Sequence, residues 1–150
     1  MKRSVFGSSA TLAVVLAVNV ALAQGQTPIQ VVRNQGCGCC LKWVALLEKA
    51  GFKATVTEAT ESDRLKNSSG VPKGVRSCHT ATVGGYMIEG HVPVADVKRL
   101  LKERPNVVGI AVAGMPSGSP GMEVPGGETQ PYDVVAFDKA GKTTVFASHR

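Results

Sequence analysis

Residues 28–52 read PIQVVRNQGCGCCLKWVALLEKAGF, and the fold depends on how this stretch divides. PIQVVRN is a short apolar run suited to a buried strand. Gly36 and Gly38 then break the chain around three cysteines, Cys37, Cys39 and Cys40. Beyond them Trp43, Leu46, Leu47 and Ala50 recur at i, i+3, i+4 and i+7, one face of a helix. Gly51 fits its C-terminal cap. The stretch therefore predicts a strand, a cysteine loop and a helix, in that order.

Working outward, KATVTEA alternates Ala54 and Val56 with polar neighbours and predicts a second strand. Thr60-Glu61-Ser62-Asp63 has the form of a capping box for a short helix from Arg64 to Asn67, whose one strong apolar residue is Leu65. TATVGGYMIE, residues 80–89, predicts two short strands around Gly84-Gly85. Pro93 opens a helix over VADVKRLLKER with Val94, Val97, Leu100 and Leu101 facing inward, and Pro105 stops it. NVVGIAV is a further strand candidate, and YDVVAFDKAGKTTVFAS predicts a hairpin turning at Lys139-Ala140-Gly141. Between them, residues 113–131 (AGMPSGSPGMEVPGGETQP) hold 11 Gly, Pro or Ser among 19 residues and are neither helix nor strand. A loop of that length in a compact domain is either functional or disordered. The order β, cysteine loop, α, β, α, β, β, α is that of a thioredoxin or glutaredoxin domain. The fold class expected is α/β and thioredoxin-like, a mixed sheet flanked by helices with an extra C-terminal β-hairpin. In that architecture the segment entering the third strand faces the cysteine loop, which places Cys78 and His79 opposite it.

The first residues stand apart from this domain. Met1-Lys2-Arg3 is a basic n-region, TLAVVLAVNVALA a predominantly apolar core, and Ala21-Leu22-Ala23 a cleavage signal before Gln24. The core falls short of the roughly 20 apolar residues that span a bilayer. The expected organisation is a secretory signal peptide over 1–23 and one domain over 24–150, with no stable membrane insertion after cleavage. Loss of Lys2 and Arg3 lowers the formal net charge from +6 to +4. The remaining basic residues, Lys66 among them, fall mostly on predicted helices and are accounted for by surface solvation. With one Trp, two Tyr and no interleaving of basic and aromatic residues, the sequence offers no stacking platform for nucleic acid.

Export allows disulfides to persist, so two structural bridges are the plain reading of four cysteines. The pairings are awkward: Cys37–Cys39 and Cys39–Cys40 close very tight rings, and Cys37–Cys40 leaves Cys39 to find Cys78. Crosslinks stabilise mainly by closing long loops, which crowded cysteines do not do. Cys37 and Cys40 form instead a C-x-x-C pair at a strand-to-helix junction, where the helix N-terminus favours a thiolate, so both are redox candidates. Cys39 fits that reading poorly, because a third adjacent thiol misdirects exchange. It fits a soft metal well, since Cu(I) favours thiolate, imidazole and thioether ligands and a bridging thiolate serves two ions.

The other soft donors are few. His79 follows Cys78 directly in the facing segment. His91 suits either metal ligation or a hydrogen bond near the following helix, with the hydrogen bond favoured, and penultimate His149 is expected at the surface. Met87 reads as core filling. Met115 and Met122 bracket a loop lacking other large apolar residues, which makes them thioether candidates. There is no phosphate-binding loop and no G-x-S-x-G elbow. A zinc ribbon lacks its second close cysteine pair, and an iron–sulfur cluster leaves His79 and the methionine loop without a role.

GCGCCLKWVALLEKAGF, GVPKGVRSCHTATVGGYMIEGHVPVADVKRLLKERP and GMPSGSPGME together resemble the CopG-type periplasmic proteins found with bacterial copper-resistance systems. The resemblance covers about residues 29–148. It implies a thioredoxin-like fold carrying a cysteine-bridged multinuclear copper site and a role in copper resistance, converting copper between Cu(I) and Cu(II). It also implies Cys37, Cys39 and Cys40 as core ligands, with Cys78, His79 and a methionine of the Met115–Met122 loop contributing. Expected partners are copper ions and other periplasmic copper-resistance or efflux proteins. Two competing readings are a periplasmic thiol–disulfide oxidoreductase using Cys37 and Cys40, and a passive copper chaperone.

Overall fold

The computed structural model describes residues 25–59 and 63–150; the predicted signal peptide and Thr60–Ser62 of the predicted capping box lie outside them. The elements run β1 (Thr27–Asn34), α1 (Gly38–Lys49), β2 (Phe52–Ala59), α2 (Asp63–Ser68), a 3-10 turn (Lys73–Val75), β3 (His79–Val83), β4 (Tyr86–Glu89), α3 (Val94–Glu103), β5 (Gly109–Ala111), β6 (Tyr132–Phe137) and β7 (Thr143–His149). The strands form one mixed sheet in the order β2-β1-β3-β4-β5-β6-β7. β1 pairs in parallel with β2 and β4 with β5, while the other neighbours are antiparallel. The fold is thus mixed α/β, and the two hairpins fall at Gly84-Gly85 and at residues 138–142, as their turn residues predict.

Period-two alternation divides the sheet's side chains between two cores. Ile29 and Val31 of β1, Ala81 and Val83 of β3, Tyr86 and Ile88 of β4, Ile110 of β5 and Val134 and Ala136 of β6 pack with α1 and α3. Met87, Ala111 and Phe137 point the other way and meet Val71 and Val75 from the segment after α2. Met87 is core filling, as expected.

The buried stripe of α1 is rotated from the predicted one. Cys40, Trp43, Val44 and Leu47 are buried, at i, i+3, i+4 and i+7, while Leu46 is exposed. The stripe thus begins at a cysteine, so the same periodicity that packs the helix draws Cys40 inward. On α3, Val97 and Leu100 are fully buried. Burying each such side chain stabilises the fold by about 1.5–3 kcal/mol. The short α2 departs further from expectation: it buries Lys66, not Leu65.

Candidate metal centre

β1 ends at Asn34, and the chain reverses through Gly36, whose φ of +76° is a left-handed conformation that glycine adopts without steric cost. Cys37 then caps α1, and Cys39 and Cys40 occupy its first turn. The antiparallel register sets Arg33 opposite His79, and the Asn34 amide donates to the Cys78 carbonyl at 3.1 Å. The cysteine loop and the Ser77–Thr80 segment therefore meet, as the order of elements predicts. Arg33 braces the loop from below, its guanidinium donating to the Cys37 carbonyl at 3.2 Å and pairing with Glu58.

All four sulfurs lie within 4.8 Å of one another. Cys37 and Cys40 are joined as a disulfide, while Cys39 and Cys78 are free thiols. The Cys39 sulfur is 3.3 Å from that of Cys37, and the Cys78 sulfur is 3.3 Å from that of Cys40. Cys78 also faces two imidazoles, with His79 Nδ1 at 3.5 Å and His91 Nε2 at 3.3 Å. Cys37, Cys39, Cys40, Cys78 and His79 are thus brought together, and His91 joins them. Its other nitrogen makes a hydrogen bond, though not to the following helix as expected: Nδ1 lies 2.9 Å from the carbonyl of Pro120, in the 113–131 loop. Sequence order does not reveal that one ring serves both contacts, because Pro120 belongs to a loop without a predictable conformation.

Burial sets the protonation states. It pushes the Cys78 thiol up to about 11, a rise that the Ser77 hydroxyl partly offsets and Cys39 reinforces. Burial, aided by the neighbouring His91 and Lys66, pushes His79 down to about 3. His91 is lowered for the same main reason, against the opposing pull of the Pro120 carbonyl and Glu123. At neutral pH both rings are therefore uncharged with a lone pair to offer, and a metal ion at Cys78 must displace a proton.

Residues 113–131 form a lid over the cysteines. Gly121 sits against the first turn of α1: a Cβ there would lie 2.8 Å from the Cys39 carbonyl and 3.0 Å from the Trp43 amide, and φ is +87°. Ser119 is fully buried, and Ser117 donates from its amide to the Gln130 side chain and from its hydroxyl to the Glu128 carbonyl. Gly114 accepts from the Ser77 hydroxyl at 2.5 Å, which ties the start of the lid to the Cys78 segment. Met115 is 52% exposed at the lid's start and Met122 is half-buried.

Two features of the surroundings escape the sequence reading. Lys66 and Glu89 form a buried ion pair at 2.5 Å. Glu89 also accepts from the Ser77 amide and the Thr80 hydroxyl, and Lys66 donates to the Ser77 carbonyl. Together they fix the segment that carries Cys78 and His79. His149 is the second: it is half-buried rather than exposed, bonded to Asp96 at 2.8 Å and stacked on Tyr132.

A family model described as "Protein of unknown function, DUF411" matches residues 75–122, a window holding Cys78, His79, His91 and most of the lid. Two solved structures, "Copper resistance protein copG- Form 2" and "Copper resistance protein copG- Form 1", each share 43% sequence identity with the chain. Each superposes with a TM-score of 0.78, covering 83% of this chain and 98% of its own. No curated protein matches the chain.

Proposed function

The chain belongs to the family of the CopG copper resistance proteins, and on that premise we propose that it is an exported protein binding more than one copper ion at Cys37, Cys39, Cys40, Cys78 and His79. The observation that carries this reading is the clustering of four sulfurs within 4.8 Å. Such a set suits Cu(I), and shared thiolates let neighbouring ions be held on few ligands. Met115 and Met122 supply thioethers from the lid, and His79 an imidazole from beneath.

The fold reading goes with it. The core order β2-β1-β3-β4, with β1 and β2 parallel and β3 and β4 antiparallel, supports a thioredoxin-like domain extended by β5 and the β6–β7 hairpin. Residues 1–23 act as the signal peptide that delivers residues 24–150 to the periplasm, where efflux or other copper-resistance proteins exchange copper with it. Among the described residues no helix is long and apolar enough to cross a membrane.

Cu(I)/Cu(II) interconversion balances on the Cys37–Cys40 disulfide. Two Cu(I) ions that each give up one electron reduce it to two thiols with uptake of two protons, and the reverse regenerates Cu(I). The test is anaerobic titration of the fully reduced protein with Cu(I), counting bound metal by elemental analysis. More than one ion per chain, reduced by Cys39→Ala, is expected. A stoichiometry below one, or indifference to Cys39→Ala, overturns the cluster.

The disulfide at the start of α1 favours a second reading, a thiol–disulfide oxidoreductase. Robust insulin reduction by the metal-free protein, unaffected by Cys39→Ala, would establish it over the first.

A further inference from the structure

The donor atoms form two groups that share one sulfur. One is Cys37, Cys39, Cys40 and Cys78; the other is Cys78, His79 and His91, whose ligand atoms also lie within 4.8 Å of one another. The disulfide removes two of the four sulfurs from the first group and leaves the second intact.

The second group already has the dimensions of a coordination site. In a tetrahedral site with metal–sulfur bonds of about 2.3 Å and metal–nitrogen bonds of about 2.0–2.1 Å, sulfur and nitrogen ligands stand about 3.5 Å apart. The observed separations from Cys78 Sγ are 3.5 Å to His79 Nδ1 and 3.3 Å to His91 Nε2. His91 is also held in the tautomer a ligand needs. The Pro120 carbonyl can only accept, so Nδ1 carries the hydrogen and Nε2 turns its lone pair toward Cys78. A thiolate with two imidazoles is a mixed set suited to divalent ions such as Cu(II) and Zn(II), unlike the thiolate-rich set suited to Cu(I).

We propose that Cys78, His79 and His91 form a one-ion subsite for a divalent cation that remains competent while Cys37 and Cys40 are disulfide-bonded. The disulfide then selects the cargo. Reduced, the protein presents a thiolate cluster for Cu(I); oxidised, it presents a single sulfur–imidazole site for the divalent ion. This rests on the copper-handling reading for its physiological ion, but the geometry carries the subsite itself.

The test uses Co(II), a redox-inert divalent probe, with the disulfide form of the full protein, its two free thiols verified by titration. One Co(II) per chain is expected, with a thiolate-to-cobalt charge-transfer band and the visible bands of a four-coordinate ion. Cys78→Ser must abolish the charge-transfer band, His91→Gln must weaken binding at least about tenfold, and Cys39→Ser must leave both unchanged. No binding by the disulfide form, a band that survives Cys78→Ser, or one that needs Cys39 overturns the subsite. In the wild-type protein, ¹⁵N NMR gives a readout independent of whether any variant folds. Zn(II) should shift Nδ1 of His79 and Nε2 of His91, and a response confined to His149 overturns the proposal. Failure of these arms while the reduced protein still binds Cu(I) removes the subsite alone; loss of Cu(I) binding by the reduced protein removes the copper reading itself.

Discussion

Lys66 Nζ and Glu89 Oε1 meet at 2.5 Å inside the protein, their side chains 1% and 0% exposed. Removing one member of such a pair leaves a charge uncompensated in a medium that solvates it poorly, at a cost of about 3–5 kcal/mol. Lys66→Met should therefore lower stability by about that much in urea unfolding. It should also weaken copper binding in the molecules that stay folded, because Glu89 and Lys66 hold Ser77 at both its amide and its carbonyl. A loss below about 1 kcal/mol would show that the pair is dispensable.

The lid gives a second prediction. At Gly121 a methyl group would meet the Cys39 carbonyl at 2.8 Å, and φ of +87° is unfavourable for any side chain. Gly121→Ala should lift the lid from α1, break the contact between Pro120 and His91, and destabilise the protein by about 1–2 kcal/mol. Faster alkylation of Cys39 is the specific sign. An unchanged alkylation rate at lowered stability would mean the strain is absorbed elsewhere.

These two contacts mark where sequence stops being informative. The hairpin at Gly84-Gly85, the helix after the cysteines and the facing position of Cys78-His79 were legible because each rests on local pattern or on the order of elements. Apolar periodicity is blind to a buried lysine, so Lys66 reads as a solvated residue until β4 brings Glu89 to it from 23 residues away. His91 is similar: its partner Pro120 lies 29 residues on, in a loop fixed by irregular contacts rather than by a repeating pattern. The rotation of the α1 stripe onto Cys40 was legible in principle, but hydrophobicity counts that credit leucine over cysteine select Leu46 instead.

Acid stability of the metal-free protein is the third prediction. His79 titrates near 3 in the folded protein because burial disfavours its charged form, against about 6.5 when unfolded. Between those values the unfolded chain binds the extra proton, so stability is full above about pH 6.5 and falls as the pH drops toward 3. The limiting slope is about 1.4 kcal/mol per pH unit for one such group, and His91, shifted the same way, adds to it. Urea unfolding at a series of pH values reads this directly. His79→Phe, which keeps an aromatic ring against Trp43, should flatten the curve between pH 6.5 and 5. An undiminished slope would assign the effect to other groups.

The last prediction concerns the disulfide as a limit on Cu(I) capacity. The four sulfurs lie within 4.8 Å of one another in the disulfide form, where only Cys39 and Cys78 are thiols; reduction makes thiols of all four. A disulfide sulfur is a far poorer ligand than a thiolate, so oxidation removes half the sulfur donors and the bridging positions between Cys37, Cys40 and their neighbours. Cu(I) bound per chain should fall by at least about half on oxidation and recover on reduction with a dithiol. Replacing both Cys37 and Cys40 by serine should hold the protein at the oxidised capacity whatever the redox state. Were the double variant to bind as much Cu(I) as reduced wild type, copper would be held by Cys39, Cys78 and the lid methionines alone, and Cys37 and Cys40 would be left to redox chemistry.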